Sequence, residues 1–131
     1  MRTRMVILFV GLSAVLLSAC ASTDPLASND LCRYYRVNSG DAAGGQSAPY
    51  PITLTEGQTV SLSYVAEMKE GSAEFQLLTD LSEATWQSPI KPTTTTTTLN
   101  VDSTLAAGNY NMIIVFNNAK TYKVCWKIDV K

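Results

Sequence analysis

The stretch TYKVCWKIDVK, residues 121–131, alternates apolar and polar residues with a period of two. Its apolar face consists of Tyr122, Val124, Trp126, Ile128 and Val130. The opposite face carries Lys123, Cys125, Lys127 and Asp129. This alternation is typical of a β-strand that packs one face on a core and turns the other away from it.

The same period recurs upstream in short segments separated by turn residues. They are 31–38, 51–55, 60–66, 73–79, 84–88 and 109–116. The last of these is apolar on both faces, which predicts a central strand, and NNAK, residues 117–120, predicts a hairpin turn after it. With about eight short strands and no convincing helix, the chain is expected to be all-β, an antiparallel β-sandwich or jelly roll.

Six consecutive threonines lie in KPTTTTTTLNV, residues 91–101. A linker between two domains is excluded, because too few residues follow the run to build a second core. Threonine is β-branched and favours strands, so the run predicts a strand near a sheet edge that begins after Pro92. An O-glycosylated stalk is the alternative, although such stalks usually contain more serine and proline.

The chain opens with MRTRMVILFVGLSAVLLSAC, a basic start followed by an apolar run that is too short for a permanent membrane span. Its end, Leu17-Ser18-Ala19-Cys20, resembles the lipobox of bacterial lipoproteins. The resemblance implies cleavage after residue 19, a diacylglycerol on the Cys20 sulfur and a further acyl chain such as palmitate on the new amino terminus. Ala21 in the next position implies sorting to the outer membrane, on the periplasmic side.

Removing the signal peptide, residues 1–19, from 131 residues leaves 112, enough for one domain. Residues 20–30 are expected to form the acylated cysteine and a flexible tether, and 31–131 the β-sandwich domain. Losing Arg2 and Arg4 leaves eight basic against eleven acidic side chains, a net charge of −3. The charges are scattered without a basic stripe, which argues against nucleic-acid binding.

Once Cys20 is assigned to lipid, Cys32 and Cys125 remain. An even pair in an exported protein predicts a disulfide, whereas two thiols without histidine would make a poor metal site. Because Cys32 shares its predicted face with Arg36, and Cys125 with lysines, the bond should cross the outer surface of a sheet. Either the first and last strands are neighbours there, or the first is an irregular arm held on by the bond.

Three segments resemble the prepeptidase C-terminal type of β-sandwich: the turn Glu56-Gly57, the run from Gly71 to Asp80 and the run from Leu105 to Tyr110. The resemblance implies the fold and a binding or accessory role. The calcium-binding acidic positions of that family are not recognisable here, so no metal site is expected.

The composition argues against catalysis. There is no histidine, which excludes a Ser-His-Asp triad, a Cys-His pair and an HExxH metal site. The carboxylates that could form an acid–base pair fall in predicted turns and on outward strand positions. We therefore expect a protein that is not an enzyme and has no cofactor.

A binding role remains, and three hypotheses fit it. The first is a protein-binding or assembly accessory, similar to a secretion-system pilotin, that contacts an envelope protein. The second is a glycan-binding module that uses Tyr50, Trp86 and the loop 39–49. The third is an inhibitor of an exported hydrolase that inserts the same loop. Candidate contact residues are Tyr34, Tyr50, Trp86, Thr94, Thr96 and Thr98.

Lipidation is testable with Cys20→Ser, which removes the thiol that would be acylated. We expect this variant to be soluble, uncleaved or mis-sorted, because one signal helix without acyl chains is not a lasting anchor. The measurement is membrane fractionation of cells expressing each form. Fractionation identical to that of the parent protein would rule out the lipoprotein hypothesis.

Overall fold

The structure is a computed structural model that describes residues 24–101 and 104–131. One short helix precedes the strands, α1 (Asp30–Tyr34). The seven strands are β1 (Arg36–Ala42), β2 (Tyr50–Leu54), β3 (Val60–Glu67), β4 (Glu70–Thr79), β5 (Ala84–Pro89), β6 (Thr93–Asn100) and β7 (Gly108–Val130). All strand pairs are antiparallel, so the all-β prediction is confirmed, with seven strands in place of about eight.

The 23-residue strand β7 organises the sheet. On one side it pairs with β2 at its start and with β1 further along. On the other side it pairs with β4 at its start and with β3 at its end. The β4 half of the sheet therefore has the order β2-β7-β4-β5, and the β3 half has the order β1-β7-β3-β6.

The prediction of a hairpin turn at NNAK is wrong, because β7 runs through these residues and bends there. Asn118 and Thr121 take positive φ values of 48° and 47°, which turn the strand without ending it. The rings of Phe116 and Tyr122 lie 4.6 Å apart, whereas six residues of straight strand span about 20 Å. Asparagine at positive φ suits a bend as well as a hairpin, so the local signal could not distinguish them.

The neighbouring strands bend at the same level, so the sheet folds over on itself. The Lys69 amide donates to the Lys120 carbonyl at 3.1 Å between the end of β3 and the start of β4. We call this level of the domain the bend end; it consists of residues 43–46, 68–71, 90–92 and 117–121. At the opposite, open end lie the β4–β5 turn and the connection from β2 to β3.

The core lies between the two halves. The Phe75 ring on β4 packs edge-on against Tyr64 of β3 at 5.5 Å and against Trp126 of β7 at 5.7 Å. The apolar faces predicted for β7 on both sides of the bend belong to this core, except for Val130 at the end of the strand, which is 38% exposed. Ile113, predicted to be covered on the outer face, is 1% exposed.

The outer face of the β3 half is covered by residues 24–34, which corrects two predictions. Residues 24–30 were expected to be a flexible tether, yet Leu26 is fully buried beside Val65 and Cys125. Residues 31–34 were expected to be a strand, yet they form α1, with the Asn29 side chain accepting the Leu31 N–H at 2.9 Å as its N-cap. Residues 20–23 lie outside the described residues.

The Cys32–Cys125 disulfide is confirmed, with Cα atoms 5.0 Å apart. It joins α1 to the outer face of β7, so both alternatives were partly right: β1 is the neighbour of β7, and Cys32 itself lies in a helix held onto the sheet. The change from helix to strand at Tyr35 shifts which of the following residues point toward the core and which point outward. Arg36 pairs with core-facing Trp126, and Val37 pairs with outward Cys125, the reverse of the predicted faces.

The threonine run forms β6, an edge strand, as predicted. Leu99 packs against the core. On the other face, the Thr98 hydroxyl lies 3.0 Å from that of Ser63 on β3. The pairing shifts register between Tyr64 and Ala66, so the middle threonines bulge from the ladder.

Gly71 should be essential at the bend. Its φ is +79°, and a Cβ there would overlap the Asn118 carbonyl group and lie 2.6 Å from the Asn117 oxygen. Gly71→Ala is therefore expected to lower the free energy of unfolding by at least about 3 kcal/mol. Gly57→Ala is the matched control, since Gly57 also has positive φ but has open space around its Cβ position. This substitution should lower the free energy of unfolding by about 1–2 kcal/mol. If urea denaturation shows that the two variants lose the same free energy of unfolding, this role for Gly71 is contradicted.

Asp24 should make stability depend on pH. Its carboxylate accepts hydrogen bonds from Lys123 and from the Leu26 N–H, which lower its pKa from the usual value near 3.8. A carboxyl whose pKa is lower in the folded state contributes stability above its unfolded pKa and loses it as the pH falls through the folded value. Asp24→Asn should thus be less stable than the parent at pH 7, and the gap should shrink as the pH falls below the unfolded pKa of an aspartate, about 3.9.

The control for Asp24 is Glu70→Gln. Glu70 pairs with Lys120 at 3.8 Å, and both side chains are more than 60% exposed, so its loss should change the urea midpoint little. A gap between Asp24→Asn and the parent that stays constant from pH 7 to pH 3 would show that the carboxylate charge is not responsible.

Candidate functional site

Two of the predicted contact residues, Tyr34 and Tyr50, meet in one open groove of about 360 Å³. We call this the tyrosine groove. Its lining is Tyr34, Tyr35, Arg36, Tyr50, Trp126, Lys127 and Ile128. It lies along the side of the sandwich where β1 and β2, the edge strands of the two halves, face each other.

The fold of the sheet creates this groove. Arg36 on β1 pairs with Trp126, so both side chains point to the inner face of the β3 half. Tyr50 points inward from β2 in the other half and meets Trp126 edge-on, with ring centroids 5.8 Å apart. Residues 14 positions apart in the chain, Arg36 and Tyr50, therefore come into contact only because the two halves close on each other.

Arg36 is the most distinctive group of the groove. Its guanidinium lies 3.8 Å from the centre of the Tyr50 ring and 5.8 Å from that of Trp126. No carboxylate of the described residues lies within salt-bridge distance of it. A guanidinium stacked on a ring is held in place while its N–H groups at the edge stay free for a carboxylate or another acceptor.

The rim of the groove combines exposed rings with positive charge. Tyr34 is 68% exposed and Tyr35 52% exposed. Arg33 lies 5.4 Å from the Tyr34 ring, and the Lys127 ammonium 5.3 Å from the Tyr35 ring. Of these cations, Lys127 alone has a carboxylate partner among the described residues, Asp129 at 3.2 Å. The groove therefore suits a ligand that offers negative charge together with apolar surface.

The polar group in the floor of the groove already has a hydrogen-bond partner within the protein. The Trp126 indole N–H donates to the Asn38 side chain at 2.9 Å, and Trp126 is 2% exposed. Within the described residues, no three of the His, Cys, Asp and Glu side chains cluster as metal ligands. The groups of the groove that remain available to a ligand are therefore Arg36 and those of the rim.

Trp86 does not join this surface, which corrects the glycan site composed of Trp86, Tyr50 and the loop 39–49. Tyr50, Met112, Leu77 and Trp86 form one cross-strand row on the inner face of the β4 half. Trp86 is thus about 14 Å from Tyr50. It packs, partly buried, against the core.

Thr94, Thr96 and Thr98 lie on β6, the edge of the β3 half opposite β1. Their side chains are exposed. The two other strands of that half separate them from the tyrosine groove, so they do not form one contact face with Tyr34 and Tyr50.

The loop 39–49 does not project from the domain. Its residues pair along β7: the Asn118 amide donates to Ala43 and the Phe116 amide to Gly45, both at 2.9 Å. The Ser47 amide donates to the Ile114 carbonyl at 2.8 Å. Backbone pairing thus continues from β1 almost to β2, and the inhibitor hypothesis loses the protruding loop on which it rested.

The four edge strands differ in their capacity to pair with another chain. In the β4 half, β2 contains Pro51 and β5 contains Pro89, and proline on an edge hinders strand addition. In the β3 half, β1 and β6 contain no proline. The edge of β1 adjoins the groove, and its outward Val37 is 43% exposed.

Sequence reasoning missed Tyr35, Arg36 and Lys127 as parts of a site. Tyr35 and Arg36 belonged to a segment predicted as a regular strand, and Lys127 was considered only as a solvated outward charge. The available signal was the cluster RYYR, residues 33–36, in which two tyrosines stand between two arginines.

No protein-family model matches the chain, and no curated protein sequence matches it significantly. The residues described contain no helix of the length and apolarity required to span a bilayer.

Proposed function

We propose that this protein is a lipid-anchored, non-enzymatic binding module on the periplasmic side of a bacterial outer membrane. It recognises an envelope protein through the tyrosine groove and the adjoining edge of β1. The observation that carries the proposal is Arg36, stacked on Tyr50 at 3.8 Å without a carboxylate partner among the described residues. The lipobox resemblance at Cys20 supplies the location.

The preferred partner segment is extended and acidic. Its backbone pairs with the free edge of β1, where strand addition supplies affinity through main-chain hydrogen bonds. A carboxylate of the segment binds the edge of the Arg36 guanidinium, and an apolar side chain packs on the Tyr34 and Tyr35 rings. An accessory that holds one component of an envelope assembly, as a pilotin does, would work in this way.

A glycan is the second candidate, because the exposed Tyr34 and Tyr35 rings could stack on sugar faces. In that case the rings matter most and the Arg36 charge matters less. For a protein partner with an acidic segment, the charge is central. The two candidates therefore differ in which substitution weakens binding.

The test uses a photo-crosslinking phenylalanine analogue in place of Tyr35 in the lipidated protein in cells. We expect a protein adduct that decreases about tenfold with Arg36→Glu, the effect of removing one interfacial anchor of about 1.4 kcal/mol. Arg36→Lys keeps the charge but loses the planar stacking, and it should have an intermediate effect. Lys131→Glu makes the same charge change at the open end, about 17 Å along β7 from the residue that pairs with Arg36, and should leave the adduct unchanged.

The glycan alternative is tested with purified cell-wall polysaccharide in a co-sedimentation assay. Binding that is lost in Tyr34→Ala and retained in Arg36→Glu would support the glycan and count against the protein partner. An adduct equally strong in Arg36→Glu and in the parent would refute the role assigned to Arg36. Thermal unfolding of each variant shows whether a loss comes from misfolding.

A further inference from the structure

The start of the described chain is fixed to the domain at a definite place. The Asp24 carboxylate accepts hydrogen bonds from Lys123 and from the Leu26 N–H, and Leu26 is fully buried. Asp24 is four positions after Cys20, so the two Cα atoms are at most about 14 Å apart. If Cys20 is acylated, as the proposed function requires, Asp24 is held within that distance of the lipid headgroups.

Asp24 lies toward the bend end of the domain. Its partner Lys123 is two residues beyond Thr121, or about 7 Å along β7. The next residue, Pro25, lines a shallow depression with Met68, Pro92 and Thr93, which belong to or adjoin the bend in the other strands. The open end is about 30 Å from the bend, the length of the nine residues from Thr121 to Val130.

The two ends also differ in charge. At the open end, the exposed carboxylates Glu56, Asp80 and Glu83 outnumber the exposed Lys131, and none of the three pairs with a cation of the described residues. At the bend end, Lys69 and Lys91 are exposed and likewise unpaired within the part of the chain that the structure describes. An anionic headgroup layer attracts lysines and repels carboxylates, so it favours the bend end.

The two lysines of β7 near the bend are paired with carboxylates. Lys120 pairs with Glu70, and Lys123 pairs with Asp24. The Asp41 carboxylate accepts the Thr121 N–H at 2.6 Å. Glu67 is partly buried and lies beside Pro25. Lys69 and Lys91 are therefore the cations of the bend end that have no carboxylate partner among the described residues and are available to lipid phosphates.

We infer that the domain stands on the bilayer with its bend end toward the headgroups and its open end about 30 Å farther out. The four-residue link from Cys20 sets this orientation, and Lys69 and Lys91 contact lipid phosphates. Arg36 pairs with Trp126, five residues from Thr121, so the tyrosine groove lies about 17 Å above the bend and remains open to a partner. The inference rests on the lipid anchor of the proposed function.

The orientation can be measured by energy transfer in vesicles of phosphatidylethanolamine and phosphatidylglycerol that contain a headgroup-labelled acceptor lipid. The acylated protein carries a donor dye on a single added cysteine: Lys91→Cys at the bend end, Leu81→Cys at the open end or Tyr34→Cys at the groove rim. Leu81 is 82% exposed. Because the two ends are about 30 Å apart, we expect transfer at least about twofold greater from position 91 than from position 81, with position 34 between them.

Inserting 12 Gly and Ser residues between Thr23 and Asp24 provides a matched control. A flexible link of this length extends the reach by about 20 Å, so transfer from position 91 should fall toward that from position 81. Greatest transfer from position 34 would show that the domain lies on α1 and would overturn the inference while leaving the lipid anchor intact. If no variant floats with the vesicles, the anchor and the orientation are both wrong.

Discussion

The bend in β7 is the constraint on which the rest of the structure depends. A 23-residue strand is too long for one small sheet, and it serves both halves because it turns at Asn118 and Thr121. The turn requires close approach of the neighbouring strand, and Gly71 permits it because a Cβ there would overlap the Asn118 carbonyl group. Phe116 and Tyr122 then pack together across the bend. Without this approach the two apolar faces would not enclose a core.

The tyrosine groove is a consequence of the same closure. Arg36 and Tyr50 stand on edge strands of different halves, and their contact at 3.8 Å exists only when the halves face each other. Core aromatic rings thus form the floor, and an arginine covers them at the rim. A binding site built this way is rigid where it contacts the core and exposed where Tyr34 and Tyr35 stand.

The amino-terminal segment joins the fold to the proposed anchor. Leu26 and Leu31 bury the outer face of the β3 half around Val65 and Cys125, and the disulfide holds α1 there. The same segment presents Tyr34 and Tyr35 to the groove and, through Asp24, attaches the start of the described chain to Lys123 of β7. The proposed location, orientation and recognition are consequently linked through eleven residues, 24–34.

The sequence by itself determined the all-β class, the faces of β7, the edge position of the threonine strand and the Cys32–Cys125 pair, because period-two alternation and cysteine number are local or compositional signals. It also determined the lipobox resemblance, which stays a prediction. The tertiary structure alone decided that NNAK is a bend, since positive φ serves hairpins and bends equally and the choice depends on partners far along the chain. It likewise decided that residues 24–34 cover a sheet, because Val65 and Cys125 offered an apolar outer surface that only non-local pairing creates. Arg36 and Tyr50 become one site for that reason too: long-range strand pairing, not local pattern, brings them together.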